Sequence, residues 1–130
     1  MGRRPERREA DPARSAAWGR GRLAEMAAAT LLMLKGYRIL ARRWRAPGAE
    51  IDLIVRRGST LVFVEVKARA AAAEAEWALT RAQRLRIVRA AELWCARHPR
   101  HAAGERRYDL VLVSRGGWPR HIEGAFDADI

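Results

Sequence analysis

The chain has 130 residues, 49% of them hydrophobic, which is enough for one domain with its own core and excludes both a fully disordered chain and a multidomain enzyme. Lysine and arginine together number 26 against 15 acids, a formal net charge of +11, and such an excess points to a polyanionic partner, DNA or RNA, because each neutralised phosphate releases counterions. No apolar run approaches the roughly 20 residues of a membrane span, and the single cysteine, Cys95, forms no internal disulfide, so a cytoplasmic protein without a membrane partner is expected.

Residues 1–14 mix five arginines with three acids and two prolines and lack apolar periodicity, which reads as a mobile basic tail ahead of one domain over 15–130. Ser15 is placed to cap a helix running to Lys35, with Gly36 as its left-handed stop. The half from Met26 to Leu34 is apolar on every side, which predicts a helix buried against a sheet. Tyr37 to Arg45 reads as a strand, and Ala46-Pro47-Gly48 turns the chain. Two strands follow, Glu50 to Arg57 and Thr60 to Ala68, joined by the two-residue loop Gly58-Ser59, which favours a type II′ hairpin. Ala70 to Leu79 is an alanine-rich connector. Thr80-Arg81-Ala82-Gln83 has the spacing of a capping box and opens a helix that ends before Pro99. A loop over His98 to Arg106 leads to a strand at Tyr108 to Val113, then a turn and a short last strand at His121-Ile122. Helix, three strands, helix and further strands make an α/β domain with a mixed sheet flanked by helices.

The hairpin carries the chemistry. With Gly58-Ser59 as the loop, Arg57 faces Thr60, Leu53 faces Val64, Ile54 faces Phe63 and Asp52 faces Glu65. Alternation then puts Glu50, Asp52, Glu65 and Lys67 on one face and Leu53, Val55, Val62, Val64 and Val66 on the other, the core face. Two carboxylates directly opposite one another on apolar strands repel, and a divalent cation removes that repulsion. Magnesium takes a few carboxylates and keeps several waters. Lys67, two residues past Glu65, reaches the same side, where an ammonium positions a water or neutralises developing negative charge. This set suits phosphodiester hydrolysis. A second reading stays open at this point: Lys67 pairs with Glu50 or Glu65 in an ordinary surface salt bridge.

Asp52 followed on the next strand by Glu65-Val66-Lys67 resembles the PD-(D/E)xK signature of restriction-endonuclease-like and Holliday-junction-resolvase-like nucleases. A longer ordered set is similar to the bacterial YraN family, predicted to share that fold: Gly21-Arg22-Leu23-Ala24-Glu25, Gly36-Tyr37-Arg38-Ile39-Leu40, Glu50-Ile51-Asp52-Leu53-Ile54, Val62 to Lys67 with Arg69, Tyr108-Asp109-Leu110-Val111, and His121-Ile122 with Ala125-Phe126. The resemblance spans about residues 19 to 126. It implies a restriction-endonuclease-like core, with Asp52 and Glu65 as the acids that hold Mg²⁺ (or Mn²⁺) and Lys67 as the catalytic lysine. Glu25 matches the acid of the first helix that contributes to the metal centre, and Gln83 a polar helix residue near the site. Resolvase-like relatives act as dimers, so the resemblance also implies a homodimer. The chain departs from the family at Ala49, where glycine is usual, and at Arg43, where asparagine is usual.

Glu25 on an apolar helix needs a partner, either the metal or a neighbouring arginine. Arg81, Arg84, Arg86 and Arg89 share a helix whose packed side is marked by Leu85, Val88 and Trp94; the basic side reads as a phosphate track or as a solvated face. Arg42, Arg43 and Arg45 flank Trp44 on the first strand. Arg43, Arg69, Arg81, Gln83 and Arg84 are the expected nucleic-acid contacts. Cys95, His98 and His101 lack the fourth ligand of a zinc site, and His121 reads as structural. The expected function is nucleic-acid binding with metal-dependent endonuclease activity. Its rivals are a binding module that keeps the fold without cutting, and a protein-interaction scaffold whose charge reflects only genome composition.

Overall fold

The computed structural model describes residues 12–69, 79–114 and 117–128; residues 1–11 of the expected tail and most of the Ala70–Leu79 connector lie outside them. Helix α1 spans Pro12–Leu34, followed by strands β1 (Arg38–Ala46), β2 (Ala49–Arg57) and β3 (Thr60–Arg69), helix α2 (Arg81–Arg97), and strands β4 (Glu105–Ser114) and β5 (Arg120–Phe126). The five strands form one sheet in chain order. Only β3 and β4 run parallel, because the α2 crossover returns the chain to the start of the sheet, as a parallel pair requires. The result is an α/β domain with a mixed sheet between two helices, consistent with a restriction-endonuclease-like core.

Local signals account for most of the boundaries. Gly36 takes φ +91°, and the Gly36 and Tyr37 N–H groups donate to the Met33 and Leu32 carbonyls, the paired bonds that end a helix on a left-handed residue. Thr80 and Gln83 close the capping box reciprocally. Gly58, at φ +62°, turns the hairpin, and the register runs from Arg57 opposite Thr60 to Leu53 opposite Val64. Some boundaries move. Helix α1 starts at Pro12, three residues before Ser15, with proline in the first-turn position it tolerates. Strand β4 starts at Glu105, inside the expected loop, and β5 extends to Phe126.

The sheet is buried on both faces. Against α1 lie Leu53, Val55, Val62, Val64 and Val111 with Ala28, Ala29 and Leu32; against α2 lie Ile51, Ile54, Leu61, Phe63, Leu110 and Leu112 with Ile87, Ala91 and Trp94. The packed side of α2 therefore centres on Ile87, Ala90, Ala91, Trp94 and Cys95, while Leu85 is only half-buried. The expectation of a wholly buried α1 is corrected: Met26, Met33 and Leu34 are exposed. The helix presses one stripe of small residues on the sheet, and among the described residues no layer covers its other side. No described helix is long and apolar enough to cross a membrane.

Candidate active site

Regular alternation fails at one level of the sheet, and the site sits there. On β2, Ile51 and Ile54 are three apart yet pack in the same cluster, as do Ala41 and Trp44 on β1. Both strands thus change phase between these pairs. On β1 the cause is Arg43, whose φ of +49° lies in the left-handed region. Its counterpart on β2 is Asp52, between Leu53, opposite Arg42, and Ile51, opposite Trp44. The β2–β3 ladder stops at Leu53–Val64, and Asp52 replaces the next rung with its side chain: Val66 N–H donates to Asp52 Oδ2 at 2.7 Å.

That bond holds Asp52 beside Glu65, each carboxyl in the other's field. Burial pushes Asp52 up to about 6, helped by the charges of Glu25 and Glu50 and opposed by the Val66 N–H. Burial and the Asp52 charge push Glu65 up to about 8, with Lys67 opposing. Both carboxyls thus hold their protons more tightly than free ones. Among the described residues neither acid has an ion-pair partner, and Lys67 pairs with neither Glu50 nor Glu65. Glu50 pairs instead with Arg45 at 3.6 Å. The surface salt-bridge reading of Lys67 is thus not the arrangement found.

Of its two sequence readings, Glu25 takes the arginine. Arg43 Nε donates to Glu25 Oε1 at 2.6 Å, and the guanidinium lies in the field of Glu25, Glu50 and Asp52 together. Accordingly, no group of three or more metal-ligating side chains converges among the described residues. The donor set that does converge is two carboxyls, all oxygen, which fits a hard divalent ion that keeps its waters.

The expected nucleic-acid contacts are dispersed. The amide oxygen of Gln83 accepts from the Thr80 N–H at 2.8 Å, so this side chain is committed to the helix cap. Arg84 Nη1 donates to the Leu79 carbonyl at 3.0 Å. Arg81 is exposed at the first turn of α2, Arg43 is tied to Glu25, and Arg69 ends β3, its side chain outside the description. Cys95 is buried and free.

Sequence reasoning missed a second polar assembly. Asp109, fully buried on β4, accepts two bonds from Arg107, one from the Gly124 N–H at 2.9 Å and one from His121 Nε2 at 2.7 Å. His121 Nδ1 accepts from Lys35 Nζ at 2.7 Å, and Arg107 also donates to the Tyr37 hydroxyl. Burial would raise the Asp109 carboxyl, but His121, Arg107 and the Gly124 amide outweigh it and hold the group below its ordinary range. The signal was available: Asp109 precedes the apolar run Leu110 to Val113, and a charge drawn into such a strand must be paired.

These residue sets coincide with a family. A family model described as Uncharacterised protein family UPF0102 matches residues 24–113. This chain belongs to that family. A UPF0102 protein of Methylorubrum extorquens is 53% identical over 122 residues, 92% of this chain and 95% of its own length. UPF0102 proteins of Bradyrhizobium diazoefficiens and of Rhodopseudomonas palustris (strain BisB18) are each 50% identical, over 123 and 126 residues, 95% and 97% of this chain and 92% and 93% of their own lengths. The matched segment of this UPF0102 chain holds Glu25, Asp52, Glu65, Lys67 and Asp109, with every residue of the buried carboxyl pair inside it.

Proposed function

We propose that this protein binds nucleic acid in the cytoplasm and hydrolyses phosphodiester bonds at Asp52, Glu65 and Lys67 with Mg²⁺ or Mn²⁺. The observation that carries the reading is the juxtaposition of two half-buried carboxyls, Asp52 held by the Val66 amide next to Glu65, with no ion-pair partner among the described residues and with Lys67 two residues on. Such a like-charge pair costs stability, and a role in function is a reason to keep it. The chemistry a divalent ion supplies here is neutralisation of phosphoryl charge and activation of a water. The protein's own residues do the rest. The Val66 amide fixes Asp52. Asp52 and Glu65 would hold the ion, and Glu65 would have to be deprotonated to do so. The Lys67 ammonium stands two residues on, where it orients a water or meets charge developing on the phosphate. A binding module that does not cut is the second reading, and the Glu25–Arg43 ion pair favours it, because it withholds the third acid.

A cleavage panel of linear, single-stranded, flap and four-way substrates with Mg²⁺ or Mn²⁺ decides between them. Wild type cuts at least one substrate, and Asp52→Asn and Lys67→Ala each lower the rate by at least about 100-fold, the size of effect seen when one charge-stabilising group is removed. Cutting that survives both substitutions sinks the site; no cutting by wild type, with binding that chelation does not change, selects the second reading.

A further inference from the structure

Three arginines and two histidines gather at the hairpin end of the sheet, away from the carboxyl pair. Arg38, the first residue of β1, lies directly opposite Arg56 on β2, although like charges in register destabilise a sheet. Arg56 donates through Nη1 to His101 Nδ1 at 2.9 Å and is anchored through Nε to the Gly58 carbonyl at 2.9 Å. His98 stacks on Trp94 with ring centroids 4.0 Å apart, and Arg100 lies between the two histidines in sequence. One step along, the Arg97 guanidinium sits over Trp44, 5.9 Å from the ring centroid. These side chains line the border between β1 and the end of α2, on the α2 face of the sheet.

What the cluster lacks is a counter-charge. Among the described residues Arg38, Arg56 and Arg100 make no ion pair with a carboxylate, and Glu105, which starts β4 beside the hairpin, pairs with none of them. His101 is held below its ordinary range by burial and then by the charges of Arg56, Arg100 and Arg38, with His98 beside them. With Nδ1 occupied by Arg56, its Nε2 carries the proton and remains a donor. Held donors and unneutralised guanidinium groups gathered on one surface form a receptor for phosphate oxygens.

We infer that Arg38, Arg56, Arg100 and His101 bind the phosphodiester backbone of a nucleic acid, beside Arg97, at a site separate from the carboxyl pair. This inference deepens the function proposed above and rests on it for the identity of the polyanion. Arg56 is four residues from Asp52 on β2, about 13 Å at strand rise, so the two sites lie within the reach of one nucleic acid, although α2 covers the strand between them.

The test is binding without cutting: anisotropy of a labelled 20-nucleotide single strand and of its duplex, in EDTA, across a salt series. The full-length chain is compared with Arg38→Glu/Arg100→Glu and with Arg86→Glu/Arg89→Glu, which alters net charge equally on the outer side of α2. The patch variant binds at least about tenfold more weakly at 0.1 M salt, and its slope of log K on log salt is shallower by about 1 to 2; the outer variant stays close to wild type. Because Arg38 faces Arg56, Arg38→Glu also melts no lower than wild type, which separates lost contact from lost fold. Equal loss in both double variants, or none in the patch variant, overturns the site. If nothing is ever cut while the patch variant still loses binding, the hydrolytic reading fails and the patch stands; no binding by wild type overturns both.

Discussion

At the residue scale, Asp52 and Glu65 tie acidity, metal and stability together. In the unfolded chain their carboxyls titrate near 4; in the folded protein they reach about 6 and about 8. The folded state therefore keeps protons that the unfolded state has lost, and the pair's contribution to stability falls as pH rises from about 4 to about 8. A divalent ion binds the deprotonated pair, so its stabilising effect has the opposite slope. Thermal melts at pH 5.5 and 8.5 should show Mg²⁺ raising Tm more at the higher pH, and Asp52→Asn should remove the metal effect and reduce the pH slope, leaving the part that burial imposes on Glu65; a metal effect equal at the two pH values contradicts the pair's role. Arg43 offers a second check. At φ +49° it holds a conformation that costs an L-residue energy and that glycine and asparagine adopt readily, while its ion pair with Glu25 is partly exposed and so weak. Arg43→Gly should melt no lower than wild type and Arg43→Val clearly lower. The departure from the family's usual asparagine was visible in the sequence. The backbone conformation that explains it was not, because it arises where two strands change phase together.

At the element scale, the loop after α2 is pinned to the hairpin. Glu105 N–H donates to the Ser59 carbonyl at 3.1 Å, and a Cβ on Gly104 would lie 2.0 Å from that oxygen. Backbone would have to move on both sides, so Gly104→Ala should cost about 2 kcal/mol, within the range for overpacking. Urea unfolding measures it, and a variant as stable as wild type contradicts this packing. The hairpin register was legible because a two-residue glycine loop leaves the alternation one solution. The exposed side of α1 was misread, since a run apolar on every side does not say how many faces the rest of the chain can cover.

At the scale of the whole molecule, Asp109 joins β4 to β5 through His121 and Gly124, and to the α1–β1 junction through Arg107, Tyr37 and Lys35. Removing it leaves Arg107 with only the Tyr37 hydroxyl and a 4.0 Å ion pair to Glu123, and takes from His121 its carboxylate. Asp109→Ala should cost about 3 kcal/mol, the lower end for a broken buried pair because Arg107 stays partly wet. Its carboxyl lies below the ordinary range, so this brace is complete above about pH 4 and is lost as pH falls through the lowered value. Wild type should therefore lose stability in acid more steeply than Asp109→Ala, which a denaturation series from pH 5 to 2 measures. By itself the sequence determined the Gly36 stop, the Thr80 cap, the hairpin register and the core face of Leu53, Val55, Val62 and Val64, since these follow from contacts a few residues apart and from the period of a strand. Only the tertiary structure decided that Glu25 turns to Arg43, that Gln83 serves its own helix, that Asp109 reaches His121 and that arginines meet at the hairpin end. Those outcomes depend on which elements lie side by side, and proximity across a sheet leaves no local mark on the chain.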